Sequence, residues 1–263
     1  MIRNVRFILL LIKLKLSRMM VFRLSFFGAF IADGMLFVTQ LAAFGVIYGH
    51  VDGIGDWSRG QMLIFIGTFS MINGLNMFIY FFGVLAIPSL VREGGLDHYV
   101  TKPVNALLRI TFENVNFGSA PLLVLSGLIV AYGVNMEGVS VSPGLLAAYI
   151  LMTLLMTLLY YDMEIILRSV TFFVISANAI ERLEGDMIML NFRIPGVFFR
   201  GVLKVLFYFA LPYGIMATVP TQLISGTLTL PGLLHALCVT AAFTAFALVL
   251  WKIGLKNYKS ASS

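Results

Sequence analysis

The residues of this chain that could do chemistry are few and far apart. Three histidines, His50, His98 and His235, and a single cysteine, Cys238, are separated by long apolar runs, so neither a shared metal site nor a disulfide framework is supported by their spacing. No G-x-x-x-x-G-K-[ST] loop, H-E-x-x-H pair or Gly-x-Ser-x-Gly elbow occurs, which leaves nucleotide hydrolysis, zincin chemistry and acyl transfer without a site and implies no cofactor. Two carboxylates, Asp33 and Glu113, fall within otherwise apolar stretches. Placing an Asp at the centre of a bilayer costs about 2.5–3.5 kcal/mol, so each reads either as a polar residue of a path or helix contact, or as a paired group near an interface. Asp162, Glu164 and Arg168 close another apolar run and read as a solvated or paired cluster. No continuous proton relay connects these groups.

The richest segment is the run from Val91 to Asn105. Pro88 can start a short helix, and Gly94 and Gly95 can end it. Leu96, Tyr99 and Val100 then offer an apolar face between charged Asp97 and Lys102, with Arg92 and Glu93 just before. Such a surface suits docking into a partner, although an ordinary interfacial loop has the same spacing.

The elements that carry these residues are apolar. Of 263 residues, 60% are hydrophobic and 11% charged, against about 25% charged in an ordinary soluble domain. A span needs about 20 apolar residues to cross about 30 Å of hydrocarbon, so the chain has room for about five to seven. The expected fold is all-α, a single transmembrane domain over 1–263 with six transmembrane helices. Residues 1–23, with Arg and Lys interleaved among Leu and Ile, read as an interfacial amphipathic helix; a signal peptide is less suited, because the run after it is long and lacks a small-residue cleavage site. Spans are expected at about 24–48, 62–87, 110–132, 145–161 and 233–251, with a polar loop at 88–109.

Residues 163–224 admit two readings. In one, a polar fifth span covers 165–190 and 202–224 is a re-entrant hairpin broken at Pro212 and Pro220; in the other, 165–200 stays outside the bilayer and 202–224 is the fifth span. Basic residues number six in 1–23 and three in 88–110, against one in 50–60 and none in 133–144. The positive-inside rule therefore puts both termini in the cytoplasm, in a multi-pass protein of the cytoplasmic membrane. The net charge of +6 resides in blocks flanking the spans, which argues for membrane topology and against nucleic acid as a partner. No repeat of 20 to 50 residues and no inverted duplication is visible.

The run Arg92-Glu93-Gly94-Gly95-Leu96-Asp97, followed by Lys102-Pro103-Val104-Asn105, resembles the cytoplasmic loop of the type 2 ABC exporter permeases, the six-span branch of the ABC-2 family. Phe192 to Arg200, then Leu211-Pro212-Tyr213 and Val219-Pro220, resembles the segment after span five of that branch. The resemblance covers nearly the whole chain. It implies that the loop is a cytoplasmic coupling helix contacting a separate ABC ATPase subunit, with Arg92, Glu93, Gly94, Leu96, Asp97, Tyr99 and Lys102 as coupling residues. It also implies a second permease subunit, identical or paralogous, and favours the re-entrant outer hairpin. A gradient-driven transporter or channel would instead need Asp33 or Glu113 to titrate with transport, and a membrane anchor would stimulate no ATPase.

Overall fold

The computed structural model describes residues 57–174 and 194–258, with Gly53, Ile54 and single positions at Leu10, Lys13, Met35, Val38, Thr39, Ala42, Gly45, Arg182, 185–188 and Leu190. The expected interfacial helix 1–23, the first span 24–48 with Asp33, and the stretch 175–181 of the expected fifth span lie outside the described residues, apart from those positions.

A two-residue antiparallel hairpin, β1 (Gly53–Ile54) with β2 (Trp57–Ser58), precedes the first long helix, a small exception to the all-α expectation. Helix α1 (Arg59–Ile79) starts on a capping box: Ser58 accepts from the Gln61 backbone, and the Gln61 side chain accepts from the Ser58 N–H. The span expected at 62–87 stops at Ile79, because Tyr80 leaves helical geometry and anchors elsewhere, its hydroxyl donating to the Thr157 carbonyl at 3.2 Å. Short helices α2 (Phe81–Leu85), α3 (Ile87–Arg92), α4 (Asp97–Val100) and α5 (Ala106–Glu113) follow.

The third expected span is also shifted. Residues 110–113 belong to α5, Asn114 ends that helix, and the Asn116 side chain caps a 3-10 turn at Phe117–Ser119 that leads into α6 (Ala120–Met136). Side-chain caps are what divide an apolar run that composition alone reads as continuous. Helix α7 (Pro143–Ser169) outruns the expected 145–161 and continues as a 3-10 turn to Phe172, so 165–172 belong to this helix and not to the next span. The last long helix, α11 below, covers Leu230–Asn257, longer at both ends than the expected 233–251.

Between them, Gly201–Ala210 and Tyr213–Ile224 form a pair bent by 79°. The first arm is α8 (Gly201–Val205) with a π turn at Leu206–Ala210; the second is α9 (Tyr213–Met216) and α10 (Thr218–Ile224). Pro212 sits at the break, as expected, whereas Pro220 is accommodated within α10. Each arm rises about 15–18 Å, too short to cross about 30 Å of hydrocarbon alone.

Helices α1, α6, α7 and α11 (Leu230–Asn257) are long and apolar enough to span a membrane. α1 and α6 run antiparallel in close contact through Gly60, Gly67 and Gly74, seven residues apart on α1, and Gly133 on α6. A Cβ on Gly67 would lie 2.7 Å from Val130 and 3.0 Å from the Ser126 carbonyl, and one on Gly133 would lie 2.9 Å from the Gly60 carbonyl. Small residues let two backbones approach where lipid supplies no hydrophobic drive between helices. A core of Ile72, Met156, Leu159, Tyr213 and Ile215 ties α1, α7 and the bent pair together. Large apolar side chains such as Leu151 and Leu154 on α7 and Phe246 and Val249 on α11 face outward. An apolar exterior over the full length of such helices is the surface a bilayer solvates.

Candidate functional site

The four long helices define two ends. One carries β1, β2 and the α6–α7 turn and is called the hairpin end; the other carries 80–116, Phe172 and Tyr258 and is called the loop end.

At the loop end, α2 rests directly on α5: a Cβ on Gly83 would sit 1.9 Å from the Ile110 carbonyl oxygen. Pro88 lies in the first turn of α3, as the sequence suggests, and Gly94 reverses the chain with φ of 76°. The single coupling helix expected here is therefore two short helices on either side of a glycine turn. Leu96, read from the sequence as part of an outward apolar face, is fully buried instead. It joins Tyr80, Val84 and Ile87 with Ile165 of α7 and Trp251 of α11 in one cluster. Leu96 thus fastens the loop to the ends of α7 and α11, with Ile79, the last residue of α1, packed against the same cluster.

Tyr99 and Asp97 are half-buried and locally engaged. The Arg109 guanidinium lies over the Tyr99 ring, donates to the His98 carbonyl at 3.3 Å and pairs with Glu113 at 3.2 Å. Burial, then the nearby Glu113 carboxylate, raise the Tyr99 phenol above its ordinary range. Tyr258, just past α11, lies beside Asp97, and burial together with that carboxylate raises its phenol too. Glu113 is therefore a partner of Arg109 on the same helix, at the end of the bundle. What remains outward is a patch of Arg92, Glu93, Val100 and Lys102, with Val100 half exposed.

Of the two readings of Asp162, Glu164 and Arg168, solvated or paired, the structure has the paired one, and the cluster is buried. Arg168 and Glu164 pair at 3.1 Å one helical turn apart, and Thr244 of α11 donates to Asp162 at 2.5 Å. His98 belongs to the loop end, whereas His235 stacks on Tyr208 of the bent pair; among the described residues no three potential ligands gather to hold a metal.

The hairpin end holds residues that sequence reasoning passed over. Glu137, just past α6, accepts a short hydrogen bond from the Ser58 hydroxyl and so locks the start of α1 to the end of α6. Its signal was a capping Ser facing an acid across a helix pair, which no single-segment pattern reveals. The same end holds a cavity of about 460 Å³ between Trp57, Gln61, Phe198 and Gln222.

Against known proteins, residues 34–262 match the family model described as "ABC-2 family transporter protein". The chain belongs to the ABC-2 family of transporter proteins. No curated protein and no solved structure matches it. This ABC-2 transporter protein is a multi-pass membrane protein, a permease of an ABC-type transporter, and permeases of the family generally work with an ATPase subunit.

Proposed function

We propose that the chain is the membrane-spanning subunit of an exporter, pairing with a second permease subunit, itself or a paralogue, to form the path, and driven by ATP hydrolysis on a separate chain. The observation that carries this reading is the loop end. Leu96 anchors the loop to α7 and α11 through one buried cluster against which Ile79 of α1 packs, while Arg92, Glu93, Val100 and Lys102 face outward from it. A partner pressing on that patch moves three long helices as a unit, because packed interiors transmit displacement and do not absorb it.

In this reading the loop end is cytoplasmic, as its excess of Lys and Arg favours. Phe172 packs with Trp251 at the loop end and Phe198 with Trp57 at the hairpin end, so a fifth crossing between them is the economical topology. Arg200, before the bent pair, and Thr227, after it, line the same cavity, which supports a re-entrant hairpin entered and left from the outer side. With residues 24–48 as the first crossing, six spans place both termini in the cytoplasm. Arg200 and Lys204 then lie near the outer face, against the usual bias.

Purification of the chain in mild detergent tests the reading. An ATPase subunit with its own phosphate-binding loop is expected to co-purify in stoichiometric amount. A chain that comes out alone and transports in response to an ion gradient would overturn it.

A further inference from the structure

The cavity at the hairpin end has a composition that the coupling mechanism does not use. Its volume is about 460 Å³, within the usual range for a small-molecule site. Its apolar wall is Trp57, Phe198 and Val197, with the Trp57 ring held edge-on between Phe65 at 5.8 Å and Phe198 at 6.3 Å. Its polar wall is Arg200, Gln61, Gln222 and Thr227, with no carboxylate among the described residues that line it.

The hydrogen-bonding inventory of that wall is dominated by donors. A guanidinium offers five N–H groups and no acceptor. Arg200 makes no ion pair among the described residues. Gln61 is nine-tenths buried, and its carbonyl oxygen is taken by the Ser58 N–H, so what it leaves to the cavity is its NH2 group. Gln222 adds a second amide, whereas the Thr227 hydroxyl donates to the Gln222 backbone carbonyl at 3.5 Å. Donors on Arg200, Gln61 and Gln222 beside an aromatic wall match an anion carried on an apolar body. The position agrees, for the cavity opens at the ends of the spanning helices, the depth at which lipid head groups and interfacial Trp residues lie.

We propose that this cavity binds the anionic head group of an amphiphile, with Arg200 and the two amides on the anion and Trp57 and Phe198 against the first part of the tail. The use of the site by exported cargo rests on the permease reading; the binding itself does not.

The test uses the full chain carrying Trp251→Phe, which leaves Trp57 as the one tryptophan, in phosphatidylcholine nanodiscs without any ATPase. Short-chain phosphatidylglycerol, short-chain phosphatidylcholine and inorganic phosphate are titrated while Trp57 emission is read. The expected result is a saturable change with phosphatidylglycerol, weakened about tenfold or more by Arg200→Ala and less by Arg200→Lys, the scale of one charge-assisted contact. Gln222→Leu serves as a second variant, with a smaller loss expected. Equal affinity for phosphatidylcholine would overturn the anionic specificity, and inorganic phosphate binding as tightly as the lipid would overturn the amphiphile. Unchanged affinity in both Arg200→Ala and Gln222→Leu would overturn the site. None of these outcomes touches ATPase coupling, so failure here is distinct from failure of the permease assignment.

Discussion

The Arg109 guanidinium lies 4.6 Å from the centroid of the Tyr99 ring, so a cation on α5 holds the second short helix of the loop in place. Such a contact contributes about 0.5–1 kcal/mol at a partly exposed site. Arg109→Ala removes it together with the Glu113 pair, and faster hydrogen exchange over residues 94–101 is expected without loss of membrane insertion. The same change withdraws the positive charge that draws the Tyr99 phenol downward while Glu113 still faces it. Tyr99 then ionises at still higher pH, which a phenolate difference titration against Tyr99→Phe would detect.

The contact of α2 on α5 leaves no room for a side chain at residue 83. Gly83→Ala places a carbon against the Ile110 carbonyl and forces the two short helices apart, at about 1–3 kcal/mol for an overpacked site. A lower thermal midpoint in detergent and weaker ATPase stimulation are expected together. Full stability in this variant would mean that α2 and α5 are not in contact.

Arg168 and Glu164 form a buried pair on α7. Removing one partner of a buried ion pair costs about 3–5 kcal/mol, whereas replacing both by apolar groups costs far less. Arg168→Ala is therefore expected to unfold at lower temperature than the double variant Arg168→Met with Glu164→Leu. The opposite order would show that the pair does not hold α7 together.

Much of this architecture was legible in apolar length alone, and the misplaced boundaries share a physical cause. Apolar counting ended the fourth span at Tyr161 because three charged residues, Asp162, Glu164 and Arg168, follow it, and α7 carries them inward by pairing Glu164 with Arg168 and Asp162 with Thr244. It ran the second span on to 87 because nothing polar marks Tyr80, whose departure from the helix depends on Thr157 and Tyr161 of another helix. The Gly94 turn was readable, since only a glycine tolerates that backbone cheaply. The inward direction of Leu96 was not, because its neighbours come from α7 and α11, far along the chain. Likewise Gly60, Gly67 and Gly74 stand seven apart in plain view, but their purpose appears only once α6 is laid against them.

The central claim is that the loop end is where the ATPase subunit docks, and site-directed cross-linking tests it most directly. Cys238 is the chain's one native cysteine, so a Cys238→Ser background allows a single thiol at Glu93 or Lys102, with Arg200→Cys at the opposite end as the comparison. With a short bifunctional thiol reagent in the purified complex, Glu93→Cys and Lys102→Cys are expected to yield a permease–ATPase adduct, and Arg200→Cys none. An adduct formed from residue 200 and not from residues 93 or 102 would contradict the account.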